Sequence, residues 1–252
     1  MSASRPTIAV FAGVDPGGKA GLAADLETCW ELGATARPVV CALTAQADAT
    51  WTGAWPTPPG VLRSTIAGLD LPDAALAFKA GMLGSIENGA ILLEACARRP
   101  LAPLVVDPLW RSTSGGNMWP IDGETEVLQF LRRRLLPRAT VVTPNWPELA
   151  WLSGQATLTD VGQAEAALAT LPCSAVLKGG HAPEPWFGID WLWDGEHMTP
   201  LPAEVRWQGN VRGTGCRFAT ALAVGLAQGL ALGKAARTAK REVAAHALAQ
   251  NP

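Results

Sequence analysis

The stretch VRGTGCRFATALAVGLAQGL, from Val211 to Leu230, sets the tightest limit on what this chain can fold into, because two glycines lead straight into an apolar helix with a cysteine at its mouth. Gly213 and Gly215 permit backbone torsions that a Cβ forbids, so consecutive N–H groups can converge on one point while the helix start adds the positive end of its dipole. Phosphate is the natural guest of such a turn, and Thr214 adds a hydroxyl donor. Cys216 falls in the first helical turn, where the same field is expected to lower the thiol pKa and suit it to taking a proton from a hydroxyl. A buried cysteine behind a helix cap would use the same residues.

Three strand-like apolar runs end in polar clusters: LVVDP at Leu104 to Pro108, TVVTPNWPE at Thr140 to Glu148, and SAVLKGGH at Ser174 to His181. An open α/β sheet binds ligands in the crevice beyond the carboxyl ends of its strands, where these clusters would fall. Asp107 and Glu148 offer hard oxygen ligands suited to Mg²⁺, directly or through water, and Lys178 offers a cation for nucleotide phosphates. Each also has a plainer use: Asp107 as a turn former, Lys178 as a solvated side chain, Asn145 with Glu148 as a helix cap pair. Taken together with the glycine turn, the clusters describe a site for phosphoryl transfer.

Alternation of strand-like and helix-like segments extends along the chain. Strands are predicted at Thr7 to Ala12, Arg37 to Ala42, Ala75 to Lys79, Leu104 to Val106, Val141 to Thr143 and Ala175 to Lys178. Helices are predicted near Ala20 to Leu32, Glu87 to Arg98, Glu124 to Leu136, Glu148 to Leu152 and Gln163 to Thr170, with two more closing the chain. The Pro-, Thr- and Trp-rich segment Ala47 to Pro59 reads as a loop, and Ile189 to Leu201 as a hairpin turning at Asp194 and Gly195. The pattern calls for an α/β fold in three layers, a mostly parallel central sheet with helices on both faces and a small antiparallel edge. A chain of 252 residues fits one domain over residues 1–252.

The formal charge is −2, and the one basic run, Arg132 to Arg134, suits a helix C-terminus, so nucleic acid is not an expected partner. The five cysteines lack C-x-x-C spacing, which argues against zinc and a disulfide framework and suits a reducing cytoplasm. TIAVFAGV reads as a buried strand that flows into a glycine loop rather than a signal segment. The apolar helix after Cys216 carries Arg217 and Gln228 and suits packing on a sheet, not a membrane.

With these motifs in order, the sequence resembles the ribokinase-like kinases, and among them the hydroxymethylpyrimidine/phosphomethylpyrimidine kinases of thiamine biosynthesis. The resemblance runs from AGVDPGGKAGLAADLETCWELGA (Ala12 to Ala34) through VVCALTAQ, FKAGMLGS, VVDPLWRSTSG, VTPNWPE, LKGGH and GTGC to AKREV in the last helix. It implies ATP-dependent phosphorylation of an aminopyrimidine alcohol and then its monophosphate, with ATP and Mg²⁺. It also implies that Ala20, Gln46 and Met82 enclose the pyrimidine, that Lys178, Asn145 and Thr214 meet ATP, that Asp107 and Glu148 organise the metal, and that Cys216 is the base beside the N–H groups of Gly213 to Cys216. A Gln amide can pair with an aminopyrimidine edge and a methionine can lie on its ring face.

Several positions depart from the family pattern. Lys19 stands where a small residue is usual, Glu27 where a lysine is usual, and Ala47 and Asp48 where Asn-Thr commonly follows the TAQ strand end. Lys19, an ammonium on a glycine loop, is a candidate reader of the monophosphate substrate. With 11 tryptophans and no tyrosine, Trp110 and Trp146 within site motifs suit core or interface packing, and resemblance to dimeric relatives implies a homodimer. Two other readings use the same residues: a pyridoxal kinase, and a degenerate family member that binds a pyrimidine as a regulator.

Overall fold

The computed structural model describes residues 5–46, 50–111, 115–201 and 211–250. Ala47 and Asp48 of the altered flap lie outside them. Strands β1 (Thr7–Val14), β4 (Leu76–Ala80), β5 (Leu104–Val106) and β7 (Ser174–Leu177) are apolar and buried almost throughout. Their side chains divide with a period of two. Ala9, Phe11, Phe78, Leu104, Val106 and Leu177 enter one core, while Ile8, Val10, Ala77, Val105 and Val176 enter another. A sheet apolar on both faces requires a helical layer on each side, as expected from the sequence.

On one face lie α1 (Gly21–Glu31), α7 (Thr214–Ala227) and α8 (Leu232–Gln250). On the other lie α2 (Pro59–Ala67), α3 (Ile86–Ala97), α4 (Glu124–Phe130), α5 (Trp146–Ser153) and α6 (Val161–Leu168). With β2 (Thr35–Gln46), β3 (Trp51–Pro56), β6 (Val141–Val142), β8 (Asp190–Trp193) and β9 (Met198–Leu201), the sheet has the order β3-β2-β1-β4-β5-β6-β7-β8-β9. β2, β1, β4, β5, β6 and β7 run parallel; β3 and the β8–β9 hairpin are antiparallel. The chain lays β2 on one side of β1 and β4 on the other, and this reversal opens a crevice at their carboxyl ends.

The predicted loop Ala47 to Pro59 needs correction. Trp51–Pro56 pairs with the end of β2 as an edge strand, a place where proline is tolerated because its missing N–H belongs on the open side. The following α2 starts with Pro59 at its first turn and buries only Leu62, so it carries no apolar stripe by which it could be read. The helix predicted to run unbroken to Leu136 instead widens at Leu131–Leu135 and tightens at Leu136–Arg138, where Pro137 ends it. The widened turn and the tight one after it put Leu131, Leu135 and Leu136 all into the core.

Candidate active site

A cleft of about 450 Å³ lies along the carboxyl edge of the sheet, a size suited to small ligands. Its first wall is the loop after β1. Asp15 shapes it by accepting hydrogen bonds from Gly17 N at Oδ1 and Ala20 N at Oδ2, both 3.1 Å. Gly21, at φ 59°, brings α1 so close to β1 that a Cβ would stand 2.5 Å from the Gly13 carbonyl oxygen. Gly213, at φ 81°, caps α7, and any Cβ on it would collide with the Lys19 carbonyl. The two glycine turns therefore abut, and the N-termini of α1 and α7 face the same cleft.

Ala20, Gln46 and Met82, which the resemblance assigns to the pyrimidine, all line the cleft. Met82 lies across the end of β1, its sulfur within 2.8 Å of where a Gly13 Cβ would be. Lys19 is exposed and is not among the cleft-lining residues, whereas Arg212 and Arg111 both line the cleft. Arg212 Nη2 donates to Gln46 Oε1 at 3.4 Å and lies 3.6 Å from Asp15 Oδ2.

At the other end Lys178, far from being solvated, bonds Asp107 Oδ1 at 2.8 Å and lies 3.8 Å from Glu148 Oε2. Burial opposes the charge of Lys178, but Asp107 and Glu148 more than offset it and hold the ammonium above its ordinary range. Asn145 and Glu148 do form a capping box at the start of α5. Asn145 Oδ1 accepts from Glu148 N at 2.8 Å, and Glu148 Oε2 accepts from Asn145 N at 2.7 Å. The cap does not remove them from the cleft, since both line it, and Asn145 keeps its amide nitrogen as a donor for a ligand. Burial pushes the Glu148 carboxyl up to about 7, with Asp107 adding to the rise and Lys178 opposing it.

The chemistry of this end fits Mg²⁺. Asp107 Oδ2 is buried without a hydrogen-bond partner. Gly215 leaves the space beside it open: a Cβ there would sit 3.8 Å from Asp107 Oδ2 and 3.3 Å from Lys178 Nζ. No group of three or more ligating side chains occurs among the described residues, so a Mg²⁺ at Asp107 and Glu148 would take its remaining oxygens from phosphate and water.

Cys216 and Thr214 line the cleft between the two ends, with Gly213 and Gly215. The lowered thiol pKa expected for Cys216 is not found. Burial raises it to about 11; Lys79 and a hydrogen bond from the Gly21 backbone pull down, while Asp25 and Asp107 push up, and the rise prevails. Lys79 is a site residue that motif reading missed. Its signal was a single charge inside the otherwise apolar strand LAFKA, where it is fully buried against Asp25 at 2.8 Å. Asp15 and Arg212, which the motif reading did not single out, line the cleft as well.

Of the tryptophans in site motifs, Trp146 is in the core and stacks on Trp186, and Trp110 stacks on Trp151 with ring centroids 5.1 Å apart. Both pack, as expected. The Glu27 departure also has a structural reason: it bonds Arg217 of α7, together with Glu31 at 3.3 Å.

A mostly parallel sheet whose carboxyl edge joins a glycine-capped helix to a buried lysine on two carboxylates defines a ribokinase-like, ATP-dependent small-molecule kinase. Comparison with known proteins gives the particular family. The family model described as phosphomethylpyrimidine kinase matches residues 15–251. A hydroxymethylpyrimidine/phosphomethylpyrimidine kinase of Streptomyces coelicolor is 38% identical over 94% of this chain and 87% of its own. A probable thiamine biosynthetic bifunctional enzyme of Oryza sativa is 34% identical over 86% of this chain, which spans 40% of that longer protein. Among solved structures, the pyridoxal kinase of Staphylococcus aureus in complex with ADP superposes with a TM-score of 0.84 at 28% identity, covering 97% of this chain and 88% of that one. This chain belongs to the phosphomethylpyrimidine kinase family.

The buried Glu148 generates a pH prediction. Its folded-state pKa lies above that of an unfolded glutamate, so the folded protein holds the extra proton and loses stability as pH rises from about 4.5 to about 7. Glu148→Gln removes this penalty. In thermal melts the variant should gain on the wild type between pH 5 and pH 8 and, in assays, need more Mg²⁺; a wild-type advantage that grows with pH would contradict the reading.

Proposed function

We propose that the chain transfers the γ-phosphoryl group of ATP to 4-amino-5-hydroxymethyl-2-methylpyrimidine and then to its monophosphate, giving the diphosphate used in thiamine biosynthesis. The observation that carries the reading is the convergence on one cleft of Lys178 with Asp107 and Glu148, the Gly213–Cys216 turn, and the Gln46 and Met82 wall. Gln46 pairs with the amino edge of the pyrimidine and Met82 covers its ring, which aims the hydroxymethyl group at the mouth of α7. Lys178 contacts the nucleotide phosphates with Asn145 and Thr214. Mg²⁺, held by Asp107 and Glu148, neutralises phosphate charge when bound. The N–H groups of Gly213 to Cys216 take up charge on the migrating phosphoryl group, and Cys216 takes the hydroxyl proton.

Because the Cys216 thiol is held near 11, few molecules carry the thiolate at neutral pH, and phosphorylation of the alcohol should accelerate as pH rises from 6 to 9. Cys216→Ala should lower kcat on the alcohol by at least about 10²-fold with ATP affinity nearly unchanged. A near-wild-type kcat would remove Cys216 from the reaction.

The likeness to a pyridoxal kinase at a TM-score of 0.84 favours one second reading, phosphorylation of a hydroxymethyl pyridine in the same cleft. Side-by-side kcat/KM values decide: the pyrimidine alcohol should exceed pyridoxal, and the reverse order would replace the first reading by the second. The protein acts in the cytoplasm, a reading supported by five free cysteines and by the absence, among the described residues, of any helix long and apolar enough to cross a membrane. It acts as a homodimer, supported by the exposed Leu43 and Trp55, which pair across β2 and β3 at the sheet edge. Light scattering tests this, and a monomer at micromolar concentration rejects it.

A further inference from the structure

The two acceptors of the proposed reaction differ by a phosphate of about −1.5 to −2 charges, and the cleft must tolerate both an alcohol and this anion. The cations near it are differently engaged. Lys178 is held at the nucleotide end by Asp107 and Glu148, and Lys79 is buried on Asp25. Arg111 lies over the Trp110 ring at 4.7 Å, and the Lys19 side chain is exposed. Arg212 is placed otherwise. Its side chain is 18% exposed, it immediately precedes Gly213, and it reaches across the acceptor end to Gln46 and Asp15.

The bond from Arg212 to Gln46 joins the cation to the side chain that reads the pyrimidine. A ring that pairs with Gln46 would compete with this 3.4 Å bond. Five N–H donors in a fixed fork let an arginine keep a carboxylate partner while offering a paired face to phosphate oxygens. Asp15 in turn is fixed by Gly17 N and Ala20 N, so the guanidinium is held by a rigid loop rather than by solvent.

Resting on the function proposed above, we propose that Arg212 receives the phosphate of the monophosphate acceptor, so that the two phosphorylations depend on different residues, Cys216 for the alcohol and Arg212 for the phosphate. In the first reaction the hydroxyl must give up a proton as its oxygen bonds to the γ-phosphorus and the bond to the β–γ bridging oxygen breaks, ADP leaving with the electron pair. In the second, an oxygen of the acceptor phosphate makes that bond. This group is already largely ionised at neutral pH and needs no base. It needs its negative charge offset as it approaches the triphosphate, which the guanidinium does.

The test is steady-state kinetics of the full chain on both acceptors with Arg212→Met, Arg212→Lys and Cys216→Ala. Arg212→Met should lower kcat/KM for the monophosphate at least about tenfold more than for the alcohol, with Arg212→Lys between it and the wild type. Cys216→Ala should show the opposite preference. Equal losses on the two acceptors for either residue would overturn the division of roles. Calorimetric binding of the pyrimidine monophosphate, with ADP and Mg²⁺ present, separates this proposal from the functional reading. A wild type inactive on both pyrimidines overturns that reading. Monophosphate binding about tenfold weaker in Arg212→Met than in wild type supports the arginine's role, and equal binding overturns it.

Discussion

The site depends on one buried ion pair. Lys79 of β4 and Asp25 of α1 are wholly removed from solvent, 2.8 Å apart, and Thr220 of α7 donates to the second oxygen of Asp25 at 2.7 Å. Removing one partner of such a pair leaves an uncompensated buried charge, at a cost of about 3–5 kcal/mol, so the three elements are tied strongly to one another. Burial opposes the charge of Lys79, yet Asp25 above all, with Asp107 beyond it, keeps the ammonium protonated. Thr220 stands one helical turn beyond Cys216, so this hydrogen bond fixes the rotation of α7 and with it the direction of the thiol. Asp25 does the same for α1, whose first residues form the other glycine turn.

From this anchor the cleft extends as two ends of different electrostatic character. The Lys178 end concentrates two carboxylates around the ammonium, with burial pushing Glu148 up to about 7 and one oxygen of Asp107 without a partner. These are costly features for folding, and they are the features that a metal and a triphosphate would relieve. The acceptor end is built more gently, from Met82, Gln46 and an arginine held by the Asp15 loop. Behind both, Arg217 on Glu27 and Glu31 locks α7 to α1, which turns a departure from the family pattern into a contact that supports the shared turns.

Much of this was legible in the sequence because parallel strands buried on both faces are short apolar runs, and the polar clusters at their ends fall at the crevice by geometry alone. Leu104 to Val106 is of this kind, while the β8–β9 hairpin was legible from its Asp194–Gly195 turn. The edge strand Trp51–Pro56 was not legible, since its glycine and prolines signal a loop and its pairing is a tertiary event. Nor was α2, which buries a single leucine. At the site, motif spacing pointed to Asp107, Glu148, Lys178 and Cys216, which one cleft gathers. It misjudged the thiol, because a helix dipole can be read from a sequence and desolvation cannot. It singled out Lys19, which is exposed and off the cleft lining, and passed over Arg212, which lines it, because which side chain turns inward is decided by packing between glycine turns far apart in the chain.

Under the proposed division of the cleft, with Lys178 meeting ATP and Arg212 the phosphorylated acceptor, the protein should perform two transfers in succession. Phosphorus NMR of the protein with ATP, Mg²⁺ and the hydroxymethylpyrimidine reads this directly. The account predicts loss of the γ-phosphate signal, growth of a phosphate monoester, and its conversion into a coupled pair of diphosphate signals. An ATP spectrum that stays unchanged would contradict the kinase, and a monoester that accumulates without ever giving the coupled pair would contradict the two-ended site.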